Sequence, residues 1–242
     1  MNPSFTKITD GLWRLDIPFD HLYTSVFLLD GERPILIDAA TTRDDVQTRI
    51  LPALREAGVA ESEGTLLLTH RHGDHSGGTP FLLEALPAWR LAVLSPQKSL
   101  GRVTAISVGG HTVDSIGYYD EATGTLLPGD GLQFFGVGKY GCSIEDAALY
   151  DATLARIKAL APNAILPSHD FIGGACRAIG PEAVTSLLDA ATAVWEEIKA
   201  FILSYPTDSD PFDVVRAWKQ AYPNRPPLPS ITVKSVRSHY CQ

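Results

Sequence analysis

An apolar segment, Thr65-Leu66-Leu67-Leu68, runs straight into Thr69-His70-Arg71-His72-Gly73-Asp74-His75. This run constrains the chain more than any other. Three imidazoles and a carboxylate within six residues cannot all be buried cheaply, because each ring needs a partner and a desolvated carboxylate needs a cation. A divalent metal satisfies all four together, and histidine nitrogen with carboxylate oxygen is a donor set that zinc and iron accept. Gly73 is expected to let the loop turn tightly without a side chain in the way. The alternative is a solvated polar loop.

Three further residues stand in similar settings. His111 lies in Gly109-Gly110-His111-Thr112, Asp130 in Pro128-Gly129-Asp130 after Thr125–Leu127, and His169 after Ile165-Leu166-Pro167. Singly, they read as a turn residue, a helix N-cap and a core histidine. Together with the first group they read as strand-end residues converging on one sheet edge, which is where sites are built.

The rest of the chain supplies elements to carry them. Strands are expected at 12–15, 25–30, 34–38, 91–94, 103–106, 113–119, 125–127 and 164–167, from their apolar and β-branched content. Asp30-Gly31 marks a hairpin turn. Helical spacing of Val46, Ile50, Leu51 and Leu54 predicts a helix over 43–57, interrupted by Pro52 and stopped at Gly58. Further helices are expected at 76–86, at 145–160, from Pro181 to about Ser204 and around 212–221, with a short one between 94 and 103. The last dozen residues are compatible with helix or strand. Two strand-rich halves fit two packed sheets with helices outside.

Composition mainly excludes. At 242 residues the chain makes one large domain or two small ones, and 45% hydrophobic residues rule out disorder as its main state. Twenty Lys and Arg against 28 Asp and Glu give a net charge of −8, which argues against nucleic acid as a partner. Cys142, Cys176 and Cys241 form no CxxC pair and signal neither a zinc knuckle nor a disulfide framework. The start, Met1 to Lys7, lacks a basic segment followed by an apolar run, and no stretch approaches 18 apolar residues. The expectation is a soluble cytoplasmic protein without a membrane partner. The Pro-rich tail and aromatic residues are compatible with a homodimer.

The motifs Thr69–His75, Gly110-His111-Thr112, Gly129-Asp130 and Ser168-His169 resemble those of the metallo-β-lactamase-fold hydrolase superfamily, over roughly residues 10–172. The resemblance implies an α+β fold, a four-layer αββα sandwich, with residues 1–180 as catalytic core and 181–242 as a mostly helical extension of the same domain. It implies two divalent metal ions, zinc first, with iron or manganese as alternatives. His70, His72 and His111 would hold one ion, Asp74, His75 and His169 the other, and Asp130 would bridge them. A hydroxide shared by the ions would attack an ester, thioester or lactone, with Asp74 orienting it. The stretch Gly131–Gly141 resembles that of hydroxyacylglutathione hydrolases (glyoxalase II) and lactonases. There Lys139 would meet an anionic substrate group or Tyr140 would polarise a carbonyl.

The chain also departs from the pattern. Asp38-Ala39-Ala40 stands where Asp-Thr-Gly is common, Ser168-His169-Asp170 replaces Gly-His, and the tail after Pro181 does not match a glutathione-binding tail. Trp195, Phe201 and Trp218 either pack those helices or cap the site. Other reactions of the superfamily are alternatives: a mononuclear-iron persulfide dioxygenase, a phosphodiesterase or nuclease, or a non-catalytic metal sensor. A β-lactamase is disfavoured, because His75 fills the place of its usual second-site cysteine.

Overall fold

Trp13, Leu15 and Ile17, and across from them Val26 and Leu28, stand at every second position and fall on one face of the first sheet. The computed structural model describes residues 4–170 and 177–241, so Cys176 and the first three residues lie outside the described residues. The chain falls into two compact units, residues 1–106 with 118–123, and residues 107–117 with 124–242.

In the first unit, β1 (Thr6–Thr9), β2 (Leu12–Phe19), β3 (Leu22–Leu29), β4 (Ile35–Ile37), β5 (Thr65–Leu67) and β6 (Arg90–Leu91) form one sheet in that spatial order. Antiparallel pairing runs from β1 to β4, and β4–β5 and β5–β6 are parallel. The register matches Trp13 with Leu28, Leu15 with Val26, Leu28 with Leu36 and Leu36 with Leu66. These residues therefore share one face, which packs on Val46, Ile50, Leu51, Leu54, Leu82 and Leu86. Burying each such aliphatic side chain contributes about 1.5–3 kcal/mol.

The expected helix over 43–57 is present as α1 (Arg43–Asp45), a π-helical turn at Val46–Ile50, and α2 (Leu51–Glu56). Pro52 lacks the N–H that would bond the carbonyl four residues back, and it sits in the first turn of α2, next to the wider turn. Thr42 closes a capping box with Asp45 at the start. The helix expected over 76–86 is instead two short ones, α3 (Gly73–Ser76) and α4 (Thr79–Ala85). Between them, Gly77 and Gly78 lie against the Ala39–Thr41 turn. A Cβ on Gly78 would fall 2.0 Å from the Ala39 carbonyl oxygen, and one on Gly77 2.2 Å from that of Thr41. No helix forms between 94 and 103. The segment holds β7 (Ser99–Leu100), which turns at Gly101 (φ +55°) into β8 (Val103–Ser107). The strand β9 (Ile116–Asp120) is shorter than expected, because residues 112–115 are turn.

The second unit carries β10 (Thr125–Leu127), the small hairpin β11 (Gly136–Val137) and β12 (Tyr140–Gly141), then α5 (Ala147–Leu160), β13 (Ala164–Ile165) and β14 (Ala178–Ile179). β13 pairs parallel with β10 and antiparallel with β14. Three helices follow: α6 (Pro181–Leu203), α7 (Pro211–Ala221) and α8 (Ser230–Tyr240), so the final segment is helix. Asp146 caps α5 by accepting from the Leu149 amide. Buried Val184, Leu187, Leu188, Ala191, Trp195, Ile198 and Ile202 recur at helical spacing along α6. Trp195 and Trp218 are fully buried. Trp195 stacks edge-on to Tyr150, Phe201 edge-on to Trp218, and the Trp195 indole N–H donates to Asp151. These aromatics pack the helices. Among the described residues, no helix is long and apolar enough to cross a membrane.

Candidate metal centre

In the first unit the site grows from two parallel strand ends. Ile37 of β4 stands beside Leu67 of β5, so the chain leaves both strands at the same edge. The Asp38 amide donates to the Leu67 carbonyl at 2.9 Å, and the Thr69 amide donates to Asp38 Oδ1 at 2.8 Å. Tyr118 adds a third tie, donating from its hydroxyl to the Leu68 carbonyl at 2.8 Å. Burial and the nearby Asp38 charge push the Tyr118 pKa up, so it stays a neutral donor.

Four expected ligands sit in the loop and short helix that follow. His70 Nε2 lies 3.0 Å from His72 Nδ1, and the His70 ring is 4.2 Å from that of His75. His75 Nε2 lies 3.5 Å from Asp74 Oδ2. His70 and His75 are buried, Asp74 is partly buried and His72 is exposed. Two further backbone bonds draw this segment onto the Ala39–Thr41 turn: Ala39 N to His75 O at 2.7 Å and Gly78 N to Ala40 O at 3.0 Å.

Asp38 stands behind these candidate ligands, and sequence reasoning does not single it out. Its carboxylate is fully buried and meets His75 Nδ1 at 2.7 Å. It also accepts from the Thr69 hydroxyl at 2.9 and 3.1 Å. A carboxylate can only accept here, so Nδ1 carries the proton, and a neutral His75 ring turns a bare Nε2 toward Asp74. The available signal was its place at the end of an apolar strand, the same setting as His70 and Asp130. In the turn at 38–40, Asp38 and Ala40 both lie in the left-handed region, at φ +66° and +56°. Gly73 does not have the part expected of it. A Cβ there would meet open space, and the close approaches belong to Gly77 and Gly78.

In the second unit, parallel β10 and β13 send Asp130 and His169 out at one end, and the Ser168 amide donates to the Gly129 carbonyl. The Asp130 carboxylate lies between two imidazoles. Its Oδ2 is 3.6 Å from His111 Nε2, and its Oδ1 is 3.3 Å from His169 Nε2. All three residues are buried. His111 Nδ1 meets the Ser143 carbonyl at 2.9 Å, and a carbonyl only accepts, so Nδ1 is the protonated nitrogen and a neutral ring leaves Nε2 bare. Lys139 and Tyr140 are on the β11–β12 hairpin that leaves this loop. Lys139 is exposed, with its Nζ 5.1 Å over the Tyr140 ring.

The structure thus gathers His70, His72, Asp74 and His75 in one unit, and His111, Asp130 and His169 in the other. Both sets offer imidazole nitrogens and carboxylate oxygens, the donor types a divalent cation accepts, and Asp38 and the Ser143 carbonyl orient the His75 and His111 rings from behind. Cys142 is no competing donor, because burial raises its thiol pKa to about 12.

The chain has the metallo-β-lactamase fold. A metallo-beta-lactamase family protein from Thermus thermophilus superposes on 96% of the chain and 93% of its own length, with a TM-score of 0.69 and 18% identity. A metallo-beta-lactamase from Erythrobacter litoralis covers 78% of the chain with a TM-score of 0.57 and 20% identity. The chain is also similar to curated proteins in sequence. Lactamase-like protein vrtG of Penicillium aethiopicum is 30% identical over 165 residues, 62% of this chain and 52% of that protein. A hydroxyacylglutathione hydrolase of Dechloromonas aromatica is 33% identical over 136 residues, 48% of this chain and 46% of that protein. The chain spans about half the length of the curated relatives it matches. No family model matches it. The expected α+β class and the helical C-terminal region are both present.

Proposed function

We propose that this chain is a metal-dependent hydrolase of a small-molecule ester, thioester or lactone, and that the two ligand sets serve one dinuclear centre. The observation that carries the reading is Asp130, a buried carboxylate whose two oxygens each face a different imidazole. That is the arrangement a bridging carboxylate needs. The motif order and the hydroxyacylglutathione hydrolase relatives support the hydrolytic class. Zinc suits the nitrogen- and oxygen-rich donors, with iron or manganese next.

In this reading His70, His72 and His111 would hold one cation, Asp74, His75 and His169 would hold the second, and Asp130 would be shared by both. Bound divalent metal supplies Lewis acidity and lowers the pKa of water toward neutrality. Asp74 accepts a proton through its carboxylate and orients the attacking water. Asp38 keeps the Nδ1 proton on His75, and the Ser143 carbonyl keeps it on His111. Tyr140 donates from its hydroxyl to the substrate carbonyl oxygen, and Lys139 pairs with an anionic substrate group. The −8 charge favours a small substrate over nucleic acid.

The test is elemental analysis of the purified protein, combined with a screen of thioesters, lactones, phosphodiesters and β-lactams. Two zinc ions per chain with thioester or lactone turnover is the expected result. One iron with oxygen consumption, or phosphodiester turnover alone, refutes the carboxylic-ester class.

A further inference from the structure

The second unit holds two of its ligands through a hydrogen-bonded path that begins on its last helix. Thr232, in the first turn of α8, is fully buried. Its hydroxyl donates to the Cys142 carbonyl at 3.0 Å and accepts from the Ile144 amide at 2.9 Å. One hydroxyl therefore grips the chain on both sides of Ser143. The Ser143 carbonyl in turn accepts from His111 Nδ1 at 2.9 Å, and the Ser143 amide donates to Gln133 Oε1 at 3.2 Å. Gln133 Nε2 reaches the Asp130 carbonyl at 2.9 Å, and the Gln133 amide donates to the Tyr150 hydroxyl at 2.8 Å. His111 and Asp130 are thus both referred to the Cys142–Ile144 segment, and α8 fixes that segment from outside.

We propose that Thr232 is a positioning residue for metal binding. It holds the Ser143 carbonyl in line with His111 Nδ1, so that the imidazole is locked in the tautomer and orientation that present a bare Nε2. The inference rests on the metal-centre reading above and adds a residue some 90 positions from the segment it controls. The competing explanation is that Thr232 merely docks α8. Ser235, one turn further along the same helix, separates the two. It is also buried and also accepts from a backbone amide, that of Ala147 at 2.7 Å, but it does not touch the Ser143 segment.

The experiment measures zinc affinity by chelator competition, and the visible absorption of the cobalt-loaded protein, on the full chain and its Thr232→Val, Thr232→Ser and Ser235→Ala variants. Outer partners of metal-bound histidines change affinity about 10–100-fold, so T232V should weaken zinc about tenfold and alter the cobalt bands, while T232S should return to within about twofold of the parent. S235A should lower the unfolding midpoint and leave affinity and spectrum unchanged. The proposal is overturned by wild-type affinity in T232V, by an equal loss in S235A, or by failure of T232S to restore binding. If T232V does not fold, T232A is judged by the same criteria. Failure of the metal-centre reading itself looks different: the parent chain binds no zinc, or His111→Ala binds it as tightly as the parent.

Discussion

Asp38→Asn is the most informative single substitution, because it changes one atom behind a ligand and leaves the ligands alone. Asp38 Oδ2 accepts the Nδ1 proton of His75 at 2.7 Å, and both side chains are fully buried. In the asparagine variant the carbonyl oxygen keeps the Thr69 amide bond at the Oδ1 position. The amide nitrogen then takes the Oδ2 position and offers hydrogens where the imidazole also offers one. Two donors facing each other in a dry site are relieved only if His75 moves its proton to Nε2. That nitrogen is the one turned toward Asp74, and once protonated it has no lone pair for a metal. The loss expected for an outer partner is about 10–100-fold in affinity, or about 1.4–2.8 kcal/mol. The metal-free fold should change little, because the amide donates to the deprotonated Nδ1 of the same ring and one neutral hydrogen bond replaces a charged one, a difference of about 1 kcal/mol. Zinc titration against a competing chelator measures the first quantity, and urea unfolding in excess chelator the second. An affinity within about threefold of the parent would refute the tautomer argument, since the smallest effect it allows is about tenfold. A large loss of metal-free stability would instead make Asp38 a folding residue.

Other expectations are simpler. Gly78→Ala drives a Cβ to 2.0 Å from the Ala39 carbonyl and 2.8 Å from Val46, so it should cost about 3 kcal/mol or more in urea unfolding. Gly73→Ala, five residues earlier, meets open space and should unfold like the parent. Ala161 ends α5 in the left-handed region at φ +47° on an exposed position, so Ala161→Gly should stabilise by about 0.5–1 kcal/mol and raise Tm by about 1–4 °C. The Cys142 thiol is raised by burial from 9.0 to about 12, so the folded state holds a proton that the unfolded chain releases above about pH 9. That contribution is complete below pH 9 and is lost as pH rises toward 12. Unfolding followed between these values should show stability falling by up to about 1.4 kcal/mol per pH unit from this group. The same burial should leave Cys142 unlabelled by thiol reagents in peptide mapping while the partly exposed Cys241 reacts.

The candidate donors are legible in the sequence because they are local. His70, His72, Asp74 and His75 fall within six residues, and Asp130 and His169 each follow a short apolar strand, a pattern set by chain period and side-chain chemistry alone. The helix from Pro181 was legible for the same reason, since a proline and an i, i+3, i+4 stripe mark it within a single segment. The short strand β7, where the sequence predicts helix, is not legible locally because a two-residue strand exists only through pairing, here Leu100 with Val103 across a glycine turn.

What tertiary structure alone decided is which groups stand behind the donors. Asp38 reaches His75 across 37 residues because β4 and β5 are parallel and in register, a fact no local pattern states. Gly77 and Gly78 matter, and Gly73 does not, only because the Ala39–Thr41 turn passes within van der Waals reach of the former pair. Thr232 reads as an ordinary helix residue until its hydroxyl is found between Cys142 and Ile144. The sequence by itself chose the chemistry of the ligands, since that depends on residue type. Proton placement and orientation of those ligands depend on hydrogen bonds between distant segments, and only the folded chain brings those segments together.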